Sequence, residues 1–234
     1  MNLSPPHLLA LDEAALDHVE EHGGPGLLWF WESDHPWIVV GYGQTIAREV
    51  HVEICARDGI EIYRRCSGGG TVVQGPGCLN YGLALPMSAD PELESIPGAN
   101  RWIMDRQRRA LAKLLPGEVT VEGHTDLALD GRKFSGNAQR RKRNALLFHG
   151  TFLRQFDLSR IARWLAFPSA QPGYRSSRDH LEFVTNTHLD SPAIRAALEH
   201  EWHGLKVELP EEVHARVPAL LRDRYARPDW HQSR

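Results

Sequence analysis

Between Arg64 and Gly82 the chain reads RRCSGGGTVVQGPGCLNYG, with Gly68, Gly69, Gly70, Gly75, Gly77 and Gly82 set between apolar, strand-like runs. Glycine at that density costs backbone entropy and adds no side-chain packing. A strand-rich region tolerates it where the backbone must take positive φ, or where a ligand must approach the main chain closely. Arg64 and Arg65 stand directly before the glycines, so the first ligand to consider is an anion. Taken alone, the stretch suits either a plain glycine turn between strands or an anion-binding loop. A partner elsewhere in the chain has to decide.

The flanking sequence supplies a frame for that loop. Leu8 to Val19 carries apolar residues at helical spacing, and Gly23-Gly24-Pro25-Gly26 stops it. Leu27–Trp31 and Trp37–Val40 read as buried strands separated by a polar turn, and Ile60–Tyr63 as the strand leading into the glycines. A short helix over Val50–Arg57 lies between. Leu79–Leu85 is a further strand, and Ala99–Leu115 has helical spacing. Val119–Glu122, Asp126–Leu129, Arg132–Ser135 and Ala145–Leu153 read as strands, with Asp130-Gly131 as a two-residue hairpin turn. Helices near Leu158–Leu165, Pro192–Trp202 and Glu211–Tyr225 close the chain. Strands and helices mix without βαβ alternation, so the expected class is α+β, a mixed β-sheet flanked by helices.

Composition removes several function classes. A net charge of −3 over 234 residues argues against general nucleic-acid binding, which wants a broad basic surface. No window approaches the roughly 18 apolar residues of a membrane span, and Met1–His7 lacks a secretory pattern. Cys55, Cys66 and Cys78 make neither a disulfide framework nor a CxxC pair. The reading is a reduced, soluble, cytoplasmic protein with neither nucleic-acid nor membrane partners. His18 and His22 have zinc-like spacing but sit at a helix end directly before two glycines, where a rigid tetrahedral site is hard to build. No metal site is expected.

The partner for the glycine stretch is DLALDGRKFSGNAQRRKRNALLFHGT, from Asp126 to Thr151. Strand pleating places Arg132 and Phe134 on one face and Lys133 with Ser135 on the other. A lysine anchored on a strand is a point charge of fixed position, and Gly136 beside it lets something approach the backbone. The run Arg140-Arg141-Lys142-Arg143 falls at the following hairpin tip, either as a solvated turn or as a basic lip attracting acidic partners or phosphates.

RRCSGGGTV, GPGCLNYG and DGRKFSGNAQRRKRNALLFHGT, in that order, resemble the lipoate–protein ligase family, related to biotin ligases and octanoyl transferases. The likeness runs loosely from Leu8 to Leu153, and YRSSRDHLEFVTN (Tyr174–Asn186) resembles the family's arginine-bearing loop. The resemblance implies the catalytic-domain fold of that superfamily, spanning 1–234 as one domain with no accessory C-terminal domain evident. It implies ATP-dependent activation of lipoate or octanoate as an acyl-adenylate, with Mg²⁺, and transfer to a lysine of an apo lipoyl carrier domain.

Carried over by motif, Arg65, Ser67, Gly69 and the backbone of Gly70, Thr71, Val72 and Val73 would hold the adenylate. Lys133 would be catalytic, lying against phosphate and acyl carboxylate, with Ser135, Gly136, Asn137 and Ala138 beside it and Ala138 on the lipoyl side. Asn80, Asp126 and His149 match motif positions with nucleotide, metal or structural duties left undivided. Gln74 stands where many relatives have histidine, and glutamine cannot take up a proton at neutral pH. Full-length ligases carry an accessory domain, so this chain needs a separate accessory protein or performs part of the reaction.

Two rivals remain. Octanoyl transfer from acyl-carrier protein needs an activated thiolate. Cys55 and Cys66 read as core, and Cys78, on the strand face of Asn80, is the residue to test. A lipoyl-binding subunit without catalysis is the other. Biotin ligation fits less well, because the arginine-glycine adenylate loop of those enzymes is missing.

Overall fold

The computed structural model describes residues 3–168 and 170–233. The first helix, α1 (Pro5–His22), opens with proline at its first position and ends at Gly23, whose φ of 64° no side-chain-bearing residue takes readily. Its apolar stripe buries Leu8, Leu9, Leu11, Ala15, Leu16 and Val19, and Asp12 and Glu13 are buried with them. Glu13 accepts hydrogen bonds from the Tyr225 hydroxyl at 2.6 Å and from Arg224, which accounts for one of the two carboxylates.

Among the described residues the strands form two sheets. The larger has the order β1 (Leu27–Trp31), β5 (Cys78–Pro86), β9 (Ala145–Leu153), β8 (Arg132–Arg141), β7 (Asp126–Leu129), β6 (Val119–Glu122), antiparallel throughout. The smaller places β2 (Trp37–Val40) between β3 (Ile62–Arg64), parallel to it, and β4 (Val72–Gln74), antiparallel. The α+β reading therefore holds, with mixed pairing confined to the small sheet. β1 and β2 join different sheets, because the segment between them turns the chain instead of closing a hairpin. Ser33 there donates to the His35 carbonyl and accepts from the Trp37 indole.

One face of the large sheet carries Leu79, Tyr81, Leu83, Phe134, Phe148 and Phe152 and packs on α4 (Ile96–Ala112) and α7 (Ser191–Glu201) through Ile103, Leu111, Ile194 and Leu198. The other face, with Ala84 and Leu147, packs on α1 and α8 (Glu211–Leu220). A third cluster joins the small sheet to α3 (Val52–Asp58), α5 (Ser159–Trp164) and α6 (His180–Phe183). Short α2 (Ile46–Glu49) precedes α3, and α9 (Pro228–His231) follows the last predicted helix, which breaks into α8 and a π-type turn at Leu221–Tyr225.

The Asp130–Gly131 turn takes φ of 48° and 75°, the two positive values a type I′ hairpin needs. The next strand runs further than the sequence suggests, so Arg140 and Arg141 lie on β8 and not at its tip. Arg140 donates to the Cys66 carbonyl at 2.8 Å, Arg141 to the Leu93 and Glu94 carbonyls, and Lys142 pairs with Asp17 at 2.5 Å. The basic run is largely spent on tying β8 to its neighbours. Among the described residues no helix is long and apolar enough to cross a membrane.

Candidate functional site

The two sheets enclose a cavity of about 680 Å³. Its apolar wall comes from two clusters: Leu9, Trp31, Val39 and Val72 on the α1 side, and Ile161, Leu165, Phe183 and Val184 on the α5–α6 side. Of the residues expected at a site, Arg65, Gly69, Gly70, Thr71, Val72, Val73, Asn80, Asp126, Lys133, Ser135, Gly136, Asn137, Ala138 and His149 all border this cavity. Ser67 does not. It lies behind the wall, 1% exposed.

The two arginines before the glycines each organise one loop. Arg64, fully buried, donates from Nη1 to the carbonyls of Gly41, Tyr42 and Gln44 at 2.9, 3.2 and 2.8 Å. Arg65 folds into its own loop. Its Nη2 donates to the carbonyls of Gly68 at 2.5 Å and Gly70 at 2.8 Å, and its Nε to Ser67 Oγ at 2.9 Å. These bonds curl the loop around the guanidinium. Gly69 takes φ of 84°, and a Cβ there would sit 3.0 Å from Arg65 Nη2. Burial lowers the Arg65 pKa to about 10, which leaves it charged at neutral pH. Sequence reasoning gave Arg65 to the ligand; much of its hydrogen-bonding capacity belongs to the loop.

Lys133 reaches the cavity through a β-bulge. Leu127 pairs with Ser135 and Ala128 with Lys133, so Phe134 is an extra residue on β8. Bulges re-aim side chains in this way beside functional sites. Phe134 and Ser135 both turn to the α4 face, where Ser135 lies opposite Leu127 and Phe152 and accepts from Asn137 Nδ2 at 3.3 Å. Lys133 instead shares the cavity face with Gly136. The simple alternation that set Lys133 beside Ser135 is therefore corrected. Lys133 Nζ lies 2.8 Å from Asp126 Oδ1, and the other oxygen of Asp126 accepts from the Tyr174 hydroxyl at 2.7 Å. A Cβ on Gly136 would stand 2.8 Å from Nζ, so glycine here is what gives the lysine room.

Asn137 accepts from the Tyr81 hydroxyl at 2.7 Å and donates to the Thr125 carbonyl at 2.6 Å, which fixes the β8 backbone. Gln74, Thr151 and Asn80 close a ring on the cavity wall. Gln74 donates to Thr151 at 2.7 Å, Thr151 to Asn80 at 2.5 Å, and Asn80 back to Gln74 at 2.9 Å. Gln74 is thus a hydrogen-bonding member of a neutral ring. His149 bridges Asp12 at 2.6 Å and Ser67 at 2.6 Å.

Asp12 was not among the residues the sequence suggested, although a signal existed. It falls four residues after Leu8 and four before Leu16, on the buried stripe of α1, where a charge needs a partner. Tyr174 opens the loop YRSSRDHLEFVTN, and nothing local in the sequence ties it to Asp126, 48 residues away. Burial pushes the Cys66 and Cys78 thiols up to about 12, and all three cysteines are buried away from the cavity wall. Among the described residues no group of three or more His, Cys, Asp or Glu could hold a metal. Mg²⁺, which needs only one or two carboxylates once phosphates are present, fits Asp126 on the donor chemistry alone.

A family model described as the lipoyl protein ligase A/B catalytic domain matches residues 4–190. "Probable lipoate-protein ligase A" of Mycoplasma pneumoniae is 30% identical over 159 residues, covering 67% of this chain and 44% of that protein. "Octanoyltransferase LipM" of Lysinibacillus sphaericus is 25% identical over 261 residues, covering 97% and 94%. The chain spans about half the length of the first curated ligases it matches, 44% and 58%. Among solved structures, the bi-partite lipoate protein ligase of Thermoplasma acidophilum, described with its E2 lipoyl domain, superposes with a TM-score of 0.82 at 20% identity, covering 99% of this chain and 93% of that one. A lipoate-protein ligase A bound with ATP gives 0.81 at 23% identity, covering 98% and 94%. These superpositions establish the fold.

Proposed function

The chain belongs to the lipoyl protein ligase A/B catalytic-domain family, and from that premise we propose that it is an ATP-dependent lipoate–protein ligase. The observation that carries the reading is the pairing of Lys133 on the cavity wall with cysteines that are all buried away from it. Octanoyl transfer through a thioester needs an accessible thiolate. Cys78, the candidate thiol, is fully buried with a pKa near 12, set 4.0 Å from the Val73 carbonyl. LipM likeness at 25% identity keeps the transferase as the second reading, and it is the cysteine placement that weighs against it.

The shape of the cavity supports an acyl-adenylate. One apolar wall, near α1, suits an acyl chain. The middle carries Lys133 and the glycine loop. The far wall carries Phe183, with the Arg175 guanidinium 4.8 Å from its ring, and suits a flat base. In the first step a carboxylate oxygen of lipoate attacks the α-phosphorus of ATP, and pyrophosphate leaves with the electrons of the broken P–O bond. Little covalent chemistry falls to the protein, and fixed positive charge and backbone N–H groups carry such transfers. In the second step a carrier lysine amine attacks the anhydride carbonyl, AMP leaves, and the ammonium proton goes to solvent. In this reading Lys133, on the cavity wall, stabilises the charge that builds on phosphoryl and carbonyl oxygens in both steps. Mg²⁺ would enter with ATP and neutralise its phosphates beside Asp126. A separate accessory protein is part of this reading, in line with the bi-partite neighbour.

The test is lipoate-dependent ATP–pyrophosphate exchange by the purified chain, then mass measurement of an apo carrier domain incubated with ATP, Mg²⁺ and lipoate, with and without an accessory protein. Lys133→Ala should lose about 10²-fold or more in exchange rate. Acylation of the carrier from octanoyl-acyl-carrier protein without ATP, with no exchange on lipoate or octanoate, would sink the ligase reading.

A further inference from the structure

Asp12 is a carboxylate 2% exposed in the middle of an apolar helix face, and removing such a charge from water costs several kcal/mol unless hydrogen bonds compensate. Its compensation is specific. Trp29 Nε1 donates to Oδ1 at 3.2 Å, and His149 Nδ1 lies 2.6 Å from Oδ2. With its Nδ1 proton on Asp12, His149 offers Nε2 as an acceptor, 2.6 Å from Ser67 Oγ. Ser67 Oγ accepts from Arg65 Nε at 2.9 Å, and an arginine nitrogen can only donate, so the serine proton is available to His149. The chain of donors then runs one way, from Arg65 through Ser67 and His149 to Asp12. Each bond polarises the next.

The order resembles an acid–base–nucleophile triad, but Ser67 does not reach the cavity, and its oxygen already accepts from a guanidinium. A nucleophile is excluded by burial. The far end of the chain is Arg65, whose Nη2 holds the Gly68 and Gly70 carbonyls. We infer that Asp12 is a positioning residue: through His149 and Ser67 it fixes the Arg65 guanidinium, and so sets the curvature of the glycine loop from a helix distant in sequence. The part of the inference that concerns nucleotide affinity rests on the function proposed above; the part that concerns the loop does not.

Asp12→Asn is the sharp probe, because it keeps the shape and reverses the hydrogen bond. An amide NH₂ toward His149 Nδ1 forces the proton onto Nε2, which then faces Ser67 as a donor and leaves the serine proton without its acceptor. The measurement is amide hydrogen exchange over Gly68–Val73 in the ligand-free protein, with circular dichroism and Tm as fold controls. Exchange in this segment should accelerate about tenfold to a hundredfold, the loss of one buried, charge-assisted hydrogen bond. Ser67→Ala, which cuts the same chain while leaving Asp12 its charge and its bonds to Trp29 and His149, should give the same local change and keeps the test decisive if Asp12→Asn fails to fold. The double variant should accelerate exchange no more than the stronger single one, where independent sites would multiply. Unchanged exchange over Gly68–Val73 in a folded Asp12→Asn or Ser67→Ala protein overturns the inference, as does multiplication in the double. If the wild type makes adenylate, KM for ATP should rise in both singles with kcat less affected. If it makes none, the functional reading fails and the exchange data still decide on the relay.

Discussion

Gly136→Ala separates the placement of Lys133 from the stability of the strand that carries it. An alanine Cβ at this position would lie 2.8 Å from Lys133 Nζ and 2.9 Å from Cε, with Asp126 Oδ1 next at 3.7 Å. Carbon contacts settle near 3.5 Å, so the lysine tip must withdraw by about 0.6 Å or more. The clash falls on the flexible end of a side chain, and the backbone is spared. Misplacement of a reacting group by about 1 Å costs on the order of 10²-fold, so the exchange rate should fall about 10- to 100-fold. Stability should move the other way. Gly136 has no positive φ to protect, and alanine in a strand interior is favoured over glycine by roughly 0.5–1 kcal/mol. For a chain of this size Tm should hold or rise by about 2–4 °C. The assay is lipoate-dependent ATP–pyrophosphate exchange with a parallel melting curve, repeated in a Lys133→Ala background, where Gly136→Ala should have no further effect. Activity within about threefold of wild type at unchanged Tm would refute the idea that Gly136 makes room for the lysine. A fall in Tm of about 8 °C or more would show that the backbone, not the lysine, absorbed the contact.

Three other outcomes follow from the same geometry. On the proposed function Cys78→Ser should leave lipoate-dependent ATP–pyrophosphate exchange within about threefold, and the wild-type thiols should resist alkylation at neutral pH, because burial holds Cys66 and Cys78 near 12; rapid labelling of Cys78 would contradict this. Gly82→Ala should lower stability by about 1–3 kcal/mol in denaturant titration, since its Cβ would meet the buried Trp29 ring at 2.1 Å, and the displaced indole would also loosen its bond to Asp12. Asp58 accepts from Arg163 at 2.5 and 2.7 Å and from Trp164 at 2.7 Å, which holds its carboxyl well below the usual range. A depressed carboxylate stabilises the fold above its unfolded pKa and loses that contribution in acid, so the Tm gap between wild type and Asp58→Asn should be full above about pH 4 and narrow below it.

Elements whose signal is local could be read from the chain. The glycine stop after α1, the Asp130–Gly131 turn and the limits of β6, β7 and β9 all rest on residues within a few positions of one another. Features that depend on pairing could not. The bulge at Phe134 exists only because Leu127 and Ala128 take partners out of step, and no residue type in RKFSGN announces it. The same holds for the two sheets, since the turn at Ser33–Pro36 looks like a hairpin until β1 is seen to choose β5 and β2 to choose β3 and β4. Asp12 lay between these cases. Its place on a buried stripe was visible, but its partner, 137 residues away on β9, was not. The motif residues other than Ser67 gather around one cavity because motif spacing already contains the fold; what each one touches depends on pairing across the sheets.

The cavity holds its cations in two different ways, and the difference bears on what an incoming polyanion meets. Arg65 is bound to its own loop by at least three acceptors, so the loop contributes to a phosphate mainly through N–H groups that the arginine has oriented. Lys133 is held at the cavity edge by an ion pair with Asp126, the lysine side chain 27% and the carboxylate 13% exposed. On the proposed function a phosphate would replace Asp126 as the partner of the lysine, and Gly136 leaves the tip room to turn. Binding would then be an exchange of partners for Lys133. On that reading Asp126, which accepts from the Tyr174 hydroxyl, would face the same phosphates, where a divalent cation would offset the two negative charges. A fixed arginine shaping the loop and a lysine that changes partners would be the division of labour the proposed two-step reaction needs, since one set of residues must then stabilise charge at two successive reacting centres.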